Sequence, residues 1–310
     1  MGYIDSSSAR KLGIIALQQA NADRQKIIRF IRITAKQPLR DELDAKNAAS
    51  SSLQKPNSLV LNNAFDRAKE IMENSEKLSI TVISSADDAY PPYLRLANDH
   101  PFILYVKGNL DILASYNTIG IIGARDASRQ GIQISWKIAE WFAGKDFTII
   151  SGLSIGIDAA AHRGAVYSKG KTIALLAHGL DMVFPAENAL LANRILGRGA
   201  LVSEHPIGVE PNCQRFGLRD RIYAGMTPAT VVVECLANSG TIYTANEVIE
   251  KGRLLYTISP EVAPSGWKSE GSSSLLSRKL ALPIDISNIE ESLSKIAAAI
   301  EMKKPSFFPQ

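Results

Sequence analysis

From Asn117 onward the chain alternates between short apolar runs and stretches with helical spacing, and this alternation restricts its fold more than any other feature. The runs fall at 118–122, 147–150, 172–176, 200–202, 230–233 and 254–258. Helix-compatible stretches at 131–143, 157–168, 187–196 and 241–251 lie between most of them. Strands that are apolar throughout are buried on both faces, which predicts a parallel sheet covered by helices. The expected fold is therefore α/β, with a Rossmann-like, doubly wound, mainly parallel sheet. Ligands of such sheets bind outside the carboxyl ends of the strands, so function is sought in the loops that follow them.

The first part of the chain has a different pattern. Leu12, Ile15, Leu17, Ile27, Ile28 and Ile31 recur at roughly helical spacing. Residues 47–58, rich in Ala, Ser and Asn, read as a loop, and 65–77 as a further helix. The pattern predicts three segments: a small helical module at 1–78, the α/β core at 79–262 and a C-terminal extension at 263–310. In the extension a helix is expected at 289–302, with Ser287 or Asn288 as its cap.

Composition narrows the function classes only modestly. Lys and Arg total 35 against 31 Asp and Glu, a formal charge of +4, which permits an anionic partner without establishing one. Two cysteines, Cys213 and Cys235, and four scattered histidines provide neither a disulfide framework nor metal-ligand spacing. No apolar run approaches transmembrane length and the first ten residues lack an apolar signal core, so a cytoplasmic protein in a reducing compartment is expected, without membrane, metal or cofactor.

Four strand-end loops are candidates. In the first, Gly123 permits a close backbone approach, Arg125 presents a guanidinium and Ser128 is placed to cap the next helix; a phosphate site and a plain βα turn both fit. In the second, Ser151 and Gly152 open a Ser- and Gly-rich turn, with Asp158 read as a helix cap and His162 as a packing residue. The third, 204–224, carries Arg215, Phe216, Arg219 and Arg221. Cations around an aromatic ring suit single-stranded nucleic acid, although Phe216 could equally anchor the loop and Arg219 could pair with Asp220 or Glu204. In the fourth, Ser239, Gly240 and Thr241 start a helix that suits an anion or a ribose, or is simply capped.

Taken together these segments resemble the DNA-processing protein A (DprA/Smf) family. The resemblance is carried by Tyr90-Pro91 with Leu94, PFILYVKGNL at 101–110, GARDAS and RQG at 123–131, and SGLSIGIDAAAHRGAV at 151–166. It continues with GKTIALLAHGLDMVFPAEN at 170–188, SEHP at 203–206, RFGLRDRIYAG at 215–225 and VVVECLANSGTIYTA at 231–245. It implies an extended Rossmann-like core that binds single-stranded DNA in a basic pocket, protects incoming strands in natural transformation, loads a RecA-type recombinase and acts as a dimer. Carried over to this chain, Gly123 and Arg125 become phosphate contacts, Ser151 and Gly152 pocket backbone, and Phe216, Arg219 and Arg221 the aromatic and basic part of the DNA site, with Ser239, Gly240 and Thr241 at its rim. The chain departs from the family pattern at Asp220, where the family has Asn between two arginines, at Ser154-Ile155, where it has Ala-Arg, and at Ser259-Pro260, where it has Pro-Gly. No winged-helix tail is expected after Ile286, where only 289–302 reads as a helix.

Three functions are weighed. The first is a non-enzymatic single-stranded DNA-binding protein, since no nucleophile–base pair, metal cluster or Walker motif points to catalysis. The second is a protein that binds a small nucleotide or cleaves its N-glycosidic bond, with Asp158 or Glu234 supplying a carboxylate. The third is a structural protein with a decayed site. A homodimer is expected, with Leu254, Leu255 and Tyr256 offering an apolar edge or face.

Overall fold

The computed structural model describes residues 5–54, 57–263 and 266–304. They form two compact units: Met1–Asp87 with Pro101–Tyr105, and Asp88–His100 with Val106–Gln310.

The first unit is led by four helices: α1 (Ser6–Gln19), α2 (Arg24–Lys36), α3 (Glu42–Leu53) and α4 (Ser58–Lys77). Each starts at an Asp or Asn side chain that accepts a free amide of the first turn: Asp5, Asp23, Asp41 and Asn57. The expected loop at 47–58 is largely α3 and the start of α4, with residues 55–56 outside the described chain. Composition misleads there, because Ala45, Ala48, Ala49 and Ser52 form a small-residue face that packs helix on helix. The strand β1 (Ile80–Ser84) follows.

In the second unit a short helix, α5 (Pro92–Arg95), precedes β2 (Ile103–Gly108), which begins in the first unit. The alternation then runs β3 (Thr118–Ile122), α6 (Arg129–Ala143), β4 (Thr148–Ser151), α7 (Ile157–Tyr167), β5 (Thr172–Leu176), α8 (Ala189–Ile195) and β6 (Ala200–Ser203). It continues with α9 (Cys213–Met226), β7 (Ala229–Val232), α10 (Gly240–Glu250), β8 (Leu254–Ile258), α11 (Glu270–Ser277), β9 (Leu282–Ile284) and α12 (Ile289–Met302). The spatial order is β6-β5-β4-β3-β7-β8-β9, and all six pairings are parallel. The mainly parallel, doubly wound α/β fold and the helical N-terminal module are those expected.

Both faces of the sheet are covered, for a reason visible in β3. Ile119 and Ile121 point into a core with Ile138 and Phe142 of α6, Ile157 and Ala161 of α7 and Leu293, Ile296 and Ile300 of α12. Gly120, on the other face, lies against α9: a Cβ there would come 2.1 Å from the Tyr223 hydroxyl. The proposed apolar edge at β8 does not exist as a free surface. β9 lies outside β8, and Leu255 and Tyr256 are buried within the chain. A three-residue strand containing Pro283 carries no period from which β9 could be read. Among the described residues no helix is long and apolar enough to cross a membrane, and no cluster of His, Cys, Asp or Glu is placed to hold a metal ion.

Candidate nucleic-acid interface

The chain runs outward from β3 through β4, β5 and β6, then returns to the other side of β3 with β7. The carboxyl ends of β3 and β7 therefore diverge into different loops, the crevice where doubly wound sheets bind ligands. A cleft of about 440 Å³ opens there. It is lined by the loops after β3, β4 and β7, one face of α9 and the start of α10.

Local chemistry sets each wall. A Cβ at Gly123 would come 2.6 Å from Ile157 Cγ1, so glycine lets the first loop lie on α7. Ser128 caps α6, accepting from the Gly131 amide at 2.9 Å, as the sequence suggests. Glu234, fully buried after β7, ties the walls together. Its Oε2 accepts the Ser128 amide at 2.9 Å, its Oε1 the Lys268 amide at 3.0 Å, and its carbonyl the Ala124 amide at 2.7 Å. With both oxygens on backbone amides, Glu234 positions loops rather than meeting a nucleotide.

The segment carrying Phe216, Arg219 and Arg221 is a helix, α9, rather than a loop. Phe216, Arg219, Asp220 and Tyr223 recur at helical spacing and all line the cleft. Arg221 lies about 200° around the helix from Arg219. It points away, pairs with Glu204 and donates to the Asp99 carbonyl at 2.9 Å. It is thus removed from the grouped site. Ser151 lies beneath the cleft, fully buried, with Oγ donating to the Ile121 carbonyl at 2.7 Å. The other eight expected residues, Gly123, Arg125, Gly152, Phe216, Arg219, Ser239, Gly240 and Thr241, line one cavity.

The half-buried ring of Phe216 is the centre of the site. The Arg125 guanidinium sits 5.4 Å from its centroid and that of Arg219 5.7 Å, while Phe184, from the loop after β5, lies 6.2 Å away at 50°. Arg219 is held firmly. Its Nε donates to Asp220 at 3.2 Å and its Nη1 to the carbonyls of Gly152 at 3.3 Å and Leu175 at 3.2 Å. A Cβ on Gly152 would come 2.1 Å from that Nη1.

The cleft is not uniformly basic. Arg125, Arg219 and Lys268 are matched by Asp126, Asp158 and Asp220 in its lining, so with every group ionised the side-chain charge sums to zero. Burial raises the Asp158 and Asp220 carboxyls above the ordinary aspartate range, with Arg219 pulling both back down. Asp158 is not a cap: α7 is capped at Gly156 without a side chain, and Asp158 faces the cleft from inside the first turn, accepting the Ser154 amide at 3.4 Å. Asp126 pairs with Lys268 at 2.6 Å. Lys268, Asp126, Thr244 and Leu236 also line the cleft and were not singled out from the sequence. No motif surrounds Lys268; Thr244, one turn beyond Gly240, was within reach of helical spacing. His162 is a buried packing residue, bonded to the Thr172 hydroxyl at 2.7 Å.

The model of the family described as DNA recombination-mediator protein A matches residues 81–296. The chain belongs to this family. The DNA processing protein DprA of Bacillus subtilis is 30% identical over 63% of this chain and 65% of its own. Its counterpart in Streptococcus pneumoniae is 36% identical over 56% of this chain and 61% of its own. The chain thus spans less than two thirds of the length of these curated relatives. The X-ray structure of the Streptococcus pneumoniae protein aligns with a TM-score of 0.74 at 26% identity, covering 95% of this chain and 99% of that one. A DNA processing protein A from Helicobacter pylori, whose structure concerns its single-stranded DNA binding mode, shares the fold. Its TM-score is 0.64 at 21% identity, over 71% of this chain and 96% of that one. The family membership and the fold are as the sequence motifs suggested.

Proposed function

We propose that the chain binds single-stranded DNA in the cleft between β3 and β7 without chemical conversion. The observation that carries this is a half-buried aromatic ring flanked by two guanidiniums at 5.4 and 5.7 Å, at a strand-end crevice walled by glycine-rich turns. A base stacks on Phe216, sequence-tolerantly because every base has a π-face, while the Arg125 guanidinium meets a phosphate. The neutral sum of the lining fits a site that reads base and backbone together rather than a purely electrostatic groove. Family membership supports a role in processing incoming DNA during natural transformation. Recombinase loading, dimerisation and a cytoplasmic location are part of the same proposal.

A second reading has one observation in its favour. A cleft of about 440 Å³ containing a buried, readily protonated Asp158 is the size of a small-ligand site and would accept a free nucleotide. One salt titration separates the two, with a single strand, a duplex and a free nucleotide compared side by side. Strand binding that is steeply salt-dependent and poorly competed by duplex and nucleotide supports the DNA reading. Tighter binding of free nucleotide than of strand overturns it.

A further inference from the structure

The chain carries a net charge of +4, yet the cleft lining sums to zero, so its positive charge resides elsewhere. Helix α2, RQKIIRFIRITAK, holds five cations and no acid. Subtracting its +5 from +4 leaves −1 for the other residues, so one helix of 13 residues accounts for the whole excess. The preceding helix α1 holds Arg10 and Lys11 and again no acid, with Lys11 neutralised by Asp87 at 3.2 Å.

The fold places three of the five α2 cations on one exposed side, while Lys26 pairs with Asp23 and Arg24 lies over the Phe102 ring. Ile27, Phe30 and Thr34 are buried in the first unit. Gln25, Arg29, Arg32 and Lys36, spaced by four, three and four residues, form an exposed stripe on the opposite side. The stripe from Arg29 to Lys36 is about 10 Å long at the helical rise. Nearby acids are already engaged: Asp23 with Lys26, Glu42 with Lys46 and Lys69, Asp44 with Arg40, and Asp41 as the cap of α3. Arg29, Arg32 and Lys36 have no carboxylate partner among the described residues. Arg10 donates to the Thr34 carbonyl, holding a further guanidinium beside the helix.

We infer that the exposed face of α2 is a second, sequence-independent contact for the sugar-phosphate backbone of DNA. The chemistry selects this partner. A helix that lies on a membrane inserts its apolar face, and that of α2 is spent in the core of its own unit. A protein interface of useful strength is centred on aromatic or apolar anchors, and the stripe has none. A row of unpaired guanidinium and ammonium groups with no apolar centre suits phosphates, where attraction comes from counterion release. The inference rests on the reading of this chain as a DNA-binding protein, but not on the cleft as the place of binding.

The test is the salt dependence of binding to a fluorescent single strand by the full chain and by the triple variant Arg29→Gln, Arg32→Gln, Lys36→Gln, with Phe216→Ala in parallel. All three positions are exposed, and an unchanged thermal melt checks the fold. Three lost phosphate contacts should make the log–log slope shallower by about 2 and weaken binding by roughly tenfold or more at low salt. An unchanged slope and affinity in the triple variant, with binding lost in Phe216→Ala, overturns the inference and leaves the cleft reading intact. A shallower slope in the triple variant with no effect of Phe216→Ala supports the inference and removes the cleft reading. If the triple variant loses binding to vesicles of mixed phosphatidylcholine and phosphatidylserine while keeping its DNA affinity, the surface is lipid-facing and the inference fails.

Discussion

Replacing Asp220 with Asn probes the charge balance of the cleft most directly. Asp220 is 6% exposed and accepts the Arg219 Nε at 3.2 Å. Asn keeps the size and an acceptor oxygen for that bond but removes the charge, and it restores the residue of the family pattern. The lining then moves from a sum of zero to +1. For a phosphate about 8 Å from the lost charge, with an effective dielectric constant between roughly 20 and 80, the Coulomb energy is about 0.5–2 kcal/mol. Binding of single-stranded DNA should tighten by about 2- to 30-fold at neutral pH. The pH dependence supplies a second readout. Burial raises the Asp220 carboxyl above its ordinary 3.8, against the pull of Arg219, so it takes up a proton before an exposed aspartate would. As pH falls toward that raised value the wild-type cleft loses a negative charge and binding tightens. The variant already lacks the charge and should tighten less, retaining only the part that comes from Asp158, whose carboxyl is raised for the same reason. Fluorescence anisotropy over a pH series at constant ionic strength measures both effects. An Asp220→Asn protein with wild-type affinity and an identical pH profile would refute the placement of the strand beside Arg219 and Asp220.

Phe216→Ala and Arg125→Ala should fail in different ways. Loss of the stack costs about 1–3 kcal/mol with little change in salt slope, and loss of the guanidinium makes the slope shallower by about 0.7; equal slopes from both would contradict the assigned roles. Arg221→Ala should leave DNA affinity unchanged but destabilise the fold by roughly 1–3 kcal/mol in urea melts, because it strands the half-buried Glu204 carboxylate; an affinity loss without a stability loss would return Arg221 to the DNA site. His162, whose pKa burial depresses from 6.5 to about 3, stabilises the fold fully above pH 6.5 and loses that contribution as pH falls toward 3. The stability gap between wild type and His162→Gln should therefore be widest at neutral pH and narrow on acidification, and a gap independent of pH would mean that His162 titrates normally.

The sequence by itself determined the elements that carry their own period. The strands at 118–122, 172–176 and 254–258 and the helix at 289–302 stand where the pattern places them, because burial on both faces leaves an unbroken apolar run and burial of one helix face leaves a 3.6-residue stripe. The loops that converge on the cleft follow from the same order, since parallel strands bring their carboxyl ends to one edge. Two features were legible and were misread. The spacing of Phe216, Arg219, Asp220 and Tyr223 is helical, and Ala45, Ala48, Ala49 and Ser52 mark a helix face despite a loop-like composition. Only the tertiary structure decided the electrostatics. Arg219 meets carbonyls at Gly152 and Leu175, Arg221 finds Glu204, and Lys268 reaches Asp126 across 142 residues of chain. Partners so far apart in sequence leave no periodic trace, because what joins them is packing.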